Sequence, residues 1–277
     1  MKHITWWKTL YTALKRNGWR QLFFYLSNLD VSRFIEFSKV SEFLEDKQGY
    51  TLELGCGYSV LPAMLSNEYK NYICLDLSKG ACKYQYSLPN VSVIVADMQH
   101  LPFKNNSIST ILAISSIEHV PDDKMVFEEI KRISKQDVSI IIDIPHTINK
   151  TRIDKMERPQ VLMSILYNFK TLWKVILGRH LEYFIEQTST DSVIKYYNMK
   201  EINKLIHDNR LCIRQHYIYE KYFQQKFFNM IPRGWFILKD LIFGNLLFRA
   251  EELLLHNNKT GNGIILLIAL EKIKRSE

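Results

Sequence analysis

From residue 50 onward, short apolar runs alternate with amphipathic stretches. Residues 50–54, 71–76, 91–96, 109–114 and 138–144 have the length and the β-branched character of buried strands. Between them, 61–67, 78–87 and 122–134 carry apolar residues at helical spacing. Apolar strands separated by helices predict a parallel sheet covered on both faces, joined by right-handed crossovers. In such a sheet ligands lie beyond the carboxyl ends of the strands, where the strand order switches. That edge would gather Gly55, Asp76, Asp97 and residues 115–119.

The flanking segments follow other patterns. Residues 4–29 alternate aromatic and basic positions and predict two helices broken at Asn17-Gly18. A third helix over 31–45 puts Phe34, Phe37, Val40, Phe43 and Leu44 on one face, which has to pack on something apolar. This arm, residues 1–47, is expected to lean over the mouth of the core. Residues 150–190 break the strand and helix rhythm, with 161–177 apolar on most sides. Residues 199–209 are amphipathic, 211–220 alternate like a strand, and 263–272 read as a buried strand. Antiparallel pairing of the last two would turn 150–190 and 221–261 into helical lid insertions. The core would then comprise 48–149, 191–220 and 262–277. The expected fold is α/β: a Rossmann-like seven-stranded sheet, mostly parallel with the last strand antiparallel, carrying a helical N-terminal arm and helical lids.

Composition narrows the partners. The net charge is +8, yet residues 1–40, 150–180 and 221–249 carry +5, +5 and +4, so the core itself is acidic. The basic, aromatic-rich segments suit an anionic or amphipathic acceptor, small, glycan-linked or lipid-linked, and leave peripheral contact with an anionic membrane open. They form no dense run and no recognisable RNA-binding module, so nucleic acid is not the expected partner. Cysteines 56, 74, 82 and 212 make no CxxC pair, which points to a reduced, cytoplasmic protein with no metal finger. No cleavable signal pattern is visible at the N-terminus. Apolar runs stay well short of the ~20 residues that span a bilayer.

Thr51-Leu52-Glu53-Leu54-Gly55-Cys56-Gly57 reads as a strand entering a tight turn and then a helix. Gly55 and Gly57 permit positive φ and close approach of backbone to a ligand. Glu53 sits badly with phosphate and suits a ligand bearing an ammonium or hydroxyl groups. A dinucleotide fingerprint needs a third glycine where Val60 stands, and no Gly-Lys-Ser/Thr follows for a P-loop. Asp76, which ends the next strand, is the residue type that accepts hydrogen bonds from a ribose diol, but nicotinamide and adenosyl cofactors both have one. Ala96-Asp97-Met98 and Leu101-Pro102-Phe103 offer an acid and flat apolar cover to an adenine ring. Ser115-Ser116-Ile117-Glu118-His119-Val120 closes the fourth strand.

As an ordered set these motifs resemble the class I S-adenosylmethionine-dependent methyltransferases, notably the group similar to ubiquinone and menaquinone biosynthesis enzymes and to small-molecule and glycan methyltransferases. The resemblance covers about residues 48–146. It implies S-adenosylmethionine as cofactor, with Glu53, Gly55, Cys56 and Gly57 along its methionine part, Asp76 and Leu77 at the ribose, Asp97 and Met98 at the adenine, and Ser115 beside the methionine moiety. Two positions depart from the family pattern: Ser59 replaces its third glycine, and Lys135-Gln136-Asp137-Val138 replaces the usual Lys-Pro-Gly-Gly turn before the fifth strand. His119 and His146, at strand ends, are candidate bases for a hydroxyl acceptor. Glu118 could fix an imidazole tautomer. The implied activity is methyl transfer to a small-molecule, glycan or lipid-linked acceptor, at oxygen. Its alternatives are a non-catalytic adenosyl-binding scaffold and an RNA methyltransferase, the latter disfavoured because no Asn-Pro-Pro-Tyr-type motif follows the fourth strand.

Overall fold

The apolar runs build a seven-stranded sheet. A computed structural model of the chain describes residues 31–45, 48–66, 68, 69, 71–86, 88–146, 195–219 and 265–273, with Tyr11 and Lys15. The strands are β1 (Tyr50–Leu54), β2 (Tyr72–Asp76), β3 (Val91–Val95), β4 (Ile108–Ile114), β5 (Ser134–Pro145), β6 (Leu211–Tyr219) and β7 (Ile265–Lys272). Their order across the sheet is β3-β2-β1-β4-β5-β7-β6. β1 to β5 pair in parallel, and β7 runs antiparallel to both β5 and β6. Strand order therefore turns back between β1 and β4, and a crevice opens there at the carboxyl ends. Most of the N-terminal arm, the helix read over 161–177 and both lid insertions lie outside the described residues.

The central strands are apolar on both sides because helices cover both faces. α1 (Val31–Phe43), α2 (Leu61–Leu65) and α3 (Lys79–Tyr86) lie on one face, and α4 (Asp123–Ile133) and α5 (Met199–Asp208) on the other. Phe127, Ile130 and Ile133 of α4 and Ile202 and Ile206 of α5 pack on Leu52, Leu54, Ile111 and Ile142. On the opposite face Phe37, Val40 and Phe43 of α1 meet Leu61 and Met64 of α2 and Leu267 and Ala269 of β7. α1, the described part of the expected arm, thus lies against the sheet face and reaches the end of β4 through Glu36. Apolar matching decides this, and polar contacts hold it: the Arg214 guanidinium of β6 donates to Phe43 O at 2.6 Å and pairs with Glu45, and Lys39 sits 4.9 Å from the Tyr217 ring centroid.

One boundary differs from the sequence reading. The strand expected to begin at 138 begins at Ser134, immediately after α4, so Lys135-Gln136-Asp137 lie in the strand and form no turn. Ser134 pairs with Ile108, its hydroxyl donates to Ile130 O, and the register to β4 slips between Ile108 and Thr110. A bulge takes up the polar residues that a period of two cannot place.

α4 also pins the loop after β3. Arg132 donates to Leu101 O at 2.9 Å and Phe103 O at 2.7 Å, and Glu129 accepts from the Leu101 amide at 2.6 Å. The Arg132 guanidinium, and then the Leu101 N–H, hold the Glu129 carboxyl below the ordinary carboxylate range against the opposing effect of burial. A lowered folded-state pKa adds stability above the ordinary value, and that stability is lost as pH falls through the lowered one. Arg132→Ala is therefore expected to cost about 1.5–3 kcal/mol at pH 7. Urea melts from pH 7 to 3 should show the gap to wild type narrowing on the acid side, and a gap independent of pH would refute the pairing.

Candidate active site at the carboxyl edge of the sheet

The turn after β1 is shaped by what its backbone must avoid. Gly55 has φ +70° and Gly57 +49°. A Cβ on Gly55 would fall 2.5 Å from Ser116 Cβ and 3.1 Å from Met98 Cε, while on Gly57 it would meet nothing nearer than 4.0 Å. Gly55 is thus required twice, for conformation and for space. Its amide and that of Cys56 both donate to Leu75 O, at 2.8 and 3.1 Å, and Ser116 Oγ donates to Leu54 O at 2.9 Å. The turn is bound to the strands on either side of it.

Asp76 closes the arrangement. Its Oδ2 accepts from the Gly57 amide and its Oδ1 from the Ser78 amide, each at 2.8 Å. A carboxylate oxygen has two lone pairs, so these two bonds do not by themselves exhaust what the Asp76 carboxylate can accept. Gln85 of α3, fully buried, donates to Gly57 O and Ser59 O at 2.9 Å. Ser59, where the family pattern has glycine, has its Oγ 3.1 Å from the Leu61 amide at the start of α2, which it accepts.

The other expected residues divide into a convergent group and an outlying one. Met98 lies against Gly55. The Asp97 carboxylate is wrapped by Gln99, which donates through its backbone amide at 2.8 Å and through Nε2, while Gln99 Oε1 accepts from the Asp122 amide. Leu77 is 70% exposed beside Asp76. Cys56 turns its side chain into the core beneath α1 and α2. Ser115, at φ +49°, has Oγ 2.9 Å from Asp143 Oδ2 and 3.3 Å from Glu36 Oε1.

Glu53 is buried beneath the turn, and the Tyr72 hydroxyl donates to its Oε2 at 2.5 Å. Burial pushes its carboxyl up to about 8; the Tyr72 hydrogen bond opposes this, and the charges of Asp76 and Glu36 add to it. Two of these partners were not visible from periodicity: Glu36 is 79 residues from Ser115, and Asp143 is 28. The signal available was an acid inside an apolar strand or on an apolar helix face, which is costly unless partnered.

The two histidines stand apart from this group. His119 lies in the 3-10 turn Ile117–His119 after β4, with its side chain 44% exposed and Nε2 3.8 Å from the buried Glu118 carboxylate. Partial burial lowers its pKa, which favours the neutral imidazole. His146 is buried and bridges in parallel to Tyr197, whose amide donates to Pro145 O and whose hydroxyl donates to Asp123 Oδ2 at 2.9 Å. Lys195, Tyr196 and Tyr197 cross from the end of β4 to that of β5, with the Lys195 amide donating to Glu118 O. Among the described residues no group of three His, Cys, Asp or Glu could hold a metal ion, and no helix is long and apolar enough to cross a membrane.

With this geometry in view, comparison with known proteins becomes decisive for the core. Residues 52–142 match the family model described as a methyltransferase domain. The matched stretch is thus similar to a methyltransferase domain, and the sheet that contains it has the fold of solved S-adenosylmethionine-dependent methyltransferases. An uncharacterised protein of Methanocaldococcus jannaschii is 33% identical over 125 residues, 45% of this chain and 52% of that protein. N-methyltransferase 4 of Papaver somniferum is 27% identical over 133 residues, 44% of this chain and 37% of the relative. The chain thus spans about half or less of the length of these curated relatives. A structure named as a putative S-adenosylmethionine-dependent methyltransferase from Listeria monocytogenes superposes with a TM-score of 0.56 at 14% identity, covering 88% of this chain and 99% of that one.

The two glycines make separable demands within this domain. Gly57→Ala meets only the conformational penalty of about 1–2 kcal/mol, whereas Gly55→Ala adds a collision with a serine Cβ that cannot swing away. Denaturant titration should rank Gly55→Ala as the more damaging by at least ~1 kcal/mol; equal losses would contradict the packing around Gly55.

Proposed function

We propose that the chain binds S-adenosylmethionine in the crevice between β1 and β4 and transfers its methyl group to a small-molecule, glycan or lipid-linked acceptor, at oxygen. The observation that carries this reading is the Gly55–Gly57 turn clasped by Asp76, with Glu53 beneath it. The donor set fits such a cofactor. The side-chain-free backbone at Gly57, with nothing nearer than 4.0 Å to the position of a Cβ, leaves room for close approach, Asp76 is the residue type that accepts from a diol, and carboxylates suit a ligand bearing positive charge. No Lys or Arg occurs from Thr51 to Tyr69, which disfavours a phosphate-bearing ligand.

When bound, the cofactor supplies an electrophilic methyl group on a sulfonium. The protein's work is then chiefly to hold the acceptor in line with that methyl, at about 3 Å, and to remove a hydroxyl proton. Glu53, Gly55, Gly57, Asp76, Asp97, Met98 and Ser115 line or support the donor side. His119, kept neutral by partial burial, is the better placed base of the two histidines because its imidazole reaches solvent at the β4 end. The name of the poppy relative raises nitrogen as an acceptor atom; a neutral amine would need no base before transfer.

Calorimetry with S-adenosylhomocysteine and a labelled-methyl transfer assay on lipid, glycan and small-molecule fractions test this reading. Asp76→Asn, which keeps the shape and loses one acceptor, should weaken binding about 10- to 100-fold. His119→Ala should reduce transfer about a hundredfold or more with binding retained. Unaltered turnover in both His119→Ala and His146→Ala removes histidine as base, and binding without transfer to any fraction favours a non-catalytic scaffold.

A further inference from the structure

The acidic groups of this edge come from several elements of the fold and are largely withdrawn from solvent. Glu36 of α1 and Glu53 of β1 are each 2% exposed, and Asp143 of β5 is 0% exposed. Ser115 Oγ lies within hydrogen-bond distance of both Asp143 and Glu36, yet a hydroxyl has a single proton to donate. The groups acting on Glu53 come from three elements: Tyr72 and Asp76 of β2, Glu36 of α1, and Cys56 of the turn. All are neutral or acidic. Lys39 of α1 pairs with Glu42 at 2.9 Å and lies over the Tyr217 ring, and among the described residues no Lys or Arg forms an ion pair with Glu53.

Such a carboxyl is poorly placed to ionise while the crevice holds only water. Removing it from solvent disfavours the charged form, and the neighbouring carboxylates repel a further negative charge. Arrival of a fixed positive charge within a few ångströms reverses both effects. We propose that Glu53 carries a proton in the unliganded protein and gives it up to solvent when the ammonium group of an adenosyl-methionine-type ligand enters the crevice, so that ligand binding and deprotonation are one coupled event.

The inference rests on the cofactor reading above and adds a property to that site. The balance is simple: the ligand's ammonium stays protonated, Glu53 loses its proton to buffer, and an ion pair replaces a neutral acid. Coupling of this kind makes affinity depend on pH even though the ligand's own charge is constant below its amine pKa of about 8. Between pH 6 and 7.5 the affinity of the wild-type protein should rise by up to tenfold per pH unit. Tyr72 tunes the event, because its hydroxyl favours the ionised form of Glu53.

The test is calorimetric titration with S-adenosylhomocysteine, which has the ammonium and undergoes no reaction, at pH 7 in buffers of different ionisation enthalpy. Wild type is expected to release close to one proton, and Glu53→Gln, which can still accept from Tyr72, close to none. Tyr72→Phe guards against a misfolded Glu53 variant: losing the donor raises the Glu53 pKa further, so its release should persist to higher pH than in wild type. Binding by wild type with no buffer dependence overturns the inference and leaves the cofactor reading intact. Undiminished release from Glu53→Gln, or an unmoved release profile in Tyr72→Phe, also overturns it. Absence of any binding by wild type overturns the cofactor reading, and this inference with it.

Discussion

The carboxylate of Asp76 is the fastening on which the edge of this sheet depends. By accepting from the amides of Gly57 and Ser78 at 2.8 Å it fixes the turn after β1 against the end of β2. Both turns then face the same crevice. Backbone amides at two consecutive strand ends would otherwise need water or a ligand to satisfy them. Because one side chain satisfies both, the turn can hold positive φ at Gly55 and Gly57 and present bare backbone to the crevice. The neighbours reinforce this: Gln85 ties down two carbonyls from α3, and Ser116 ties Leu54 O from β4.

A second constraint is electrostatic. The core is acidic while the flanking segments are basic, and within the core the acids concentrate at the carboxyl edge. Glu36, Glu53, Asp76 and Asp143 come from four different elements, so their clustering follows from the topology of the sheet and α1 and not from a local run of charge. Taking carboxylates out of water costs several kcal/mol each unless partners or protons compensate. The cluster therefore favours a cationic ligand and disfavours a phosphate. The arrangement also explains why α1 belongs to the site although it lies on the sheet face: Glu36 reaches Ser115 from there.

Much of this architecture was legible in the chain. Strands β1, β2 and β4 are recognisable because burial on both faces makes them largely apolar, the edge strand β3 because it is β-branched, and α4 because its apolar residues recur at 3.6 spacing. The reversal at β7 followed from a terminal apolar run with only an alternating strand, 211–220, left to pair with. What failed was polar sequence in a regular element: Ser134 reads as the end of a helix and Lys135-Gln136-Asp137 as a turn, but pairing with β4 across a bulge makes them strand. At the site, Gly55, Gly57 and Asp76 were visible because local geometry demands their residue types. Glu36, Tyr72, Gln85 and Asp143 were not, since their roles arise from contacts across 19 to 79 positions that no periodicity encodes.

The central claim is that the crevice beside the Gly55–Gly57 turn holds an adenosyl cofactor. A crystal structure of the chain with S-adenosylhomocysteine tests it most directly. The account predicts ligand density between the ends of β1 and β4, with the ribose hydroxyls on Asp76 and the amino acid portion beside Gly55 and Glu53. Density in the open groove between α4 and α5, lined by Lys131, Lys195 and Tyr196, with the β1 turn empty, would contradict it.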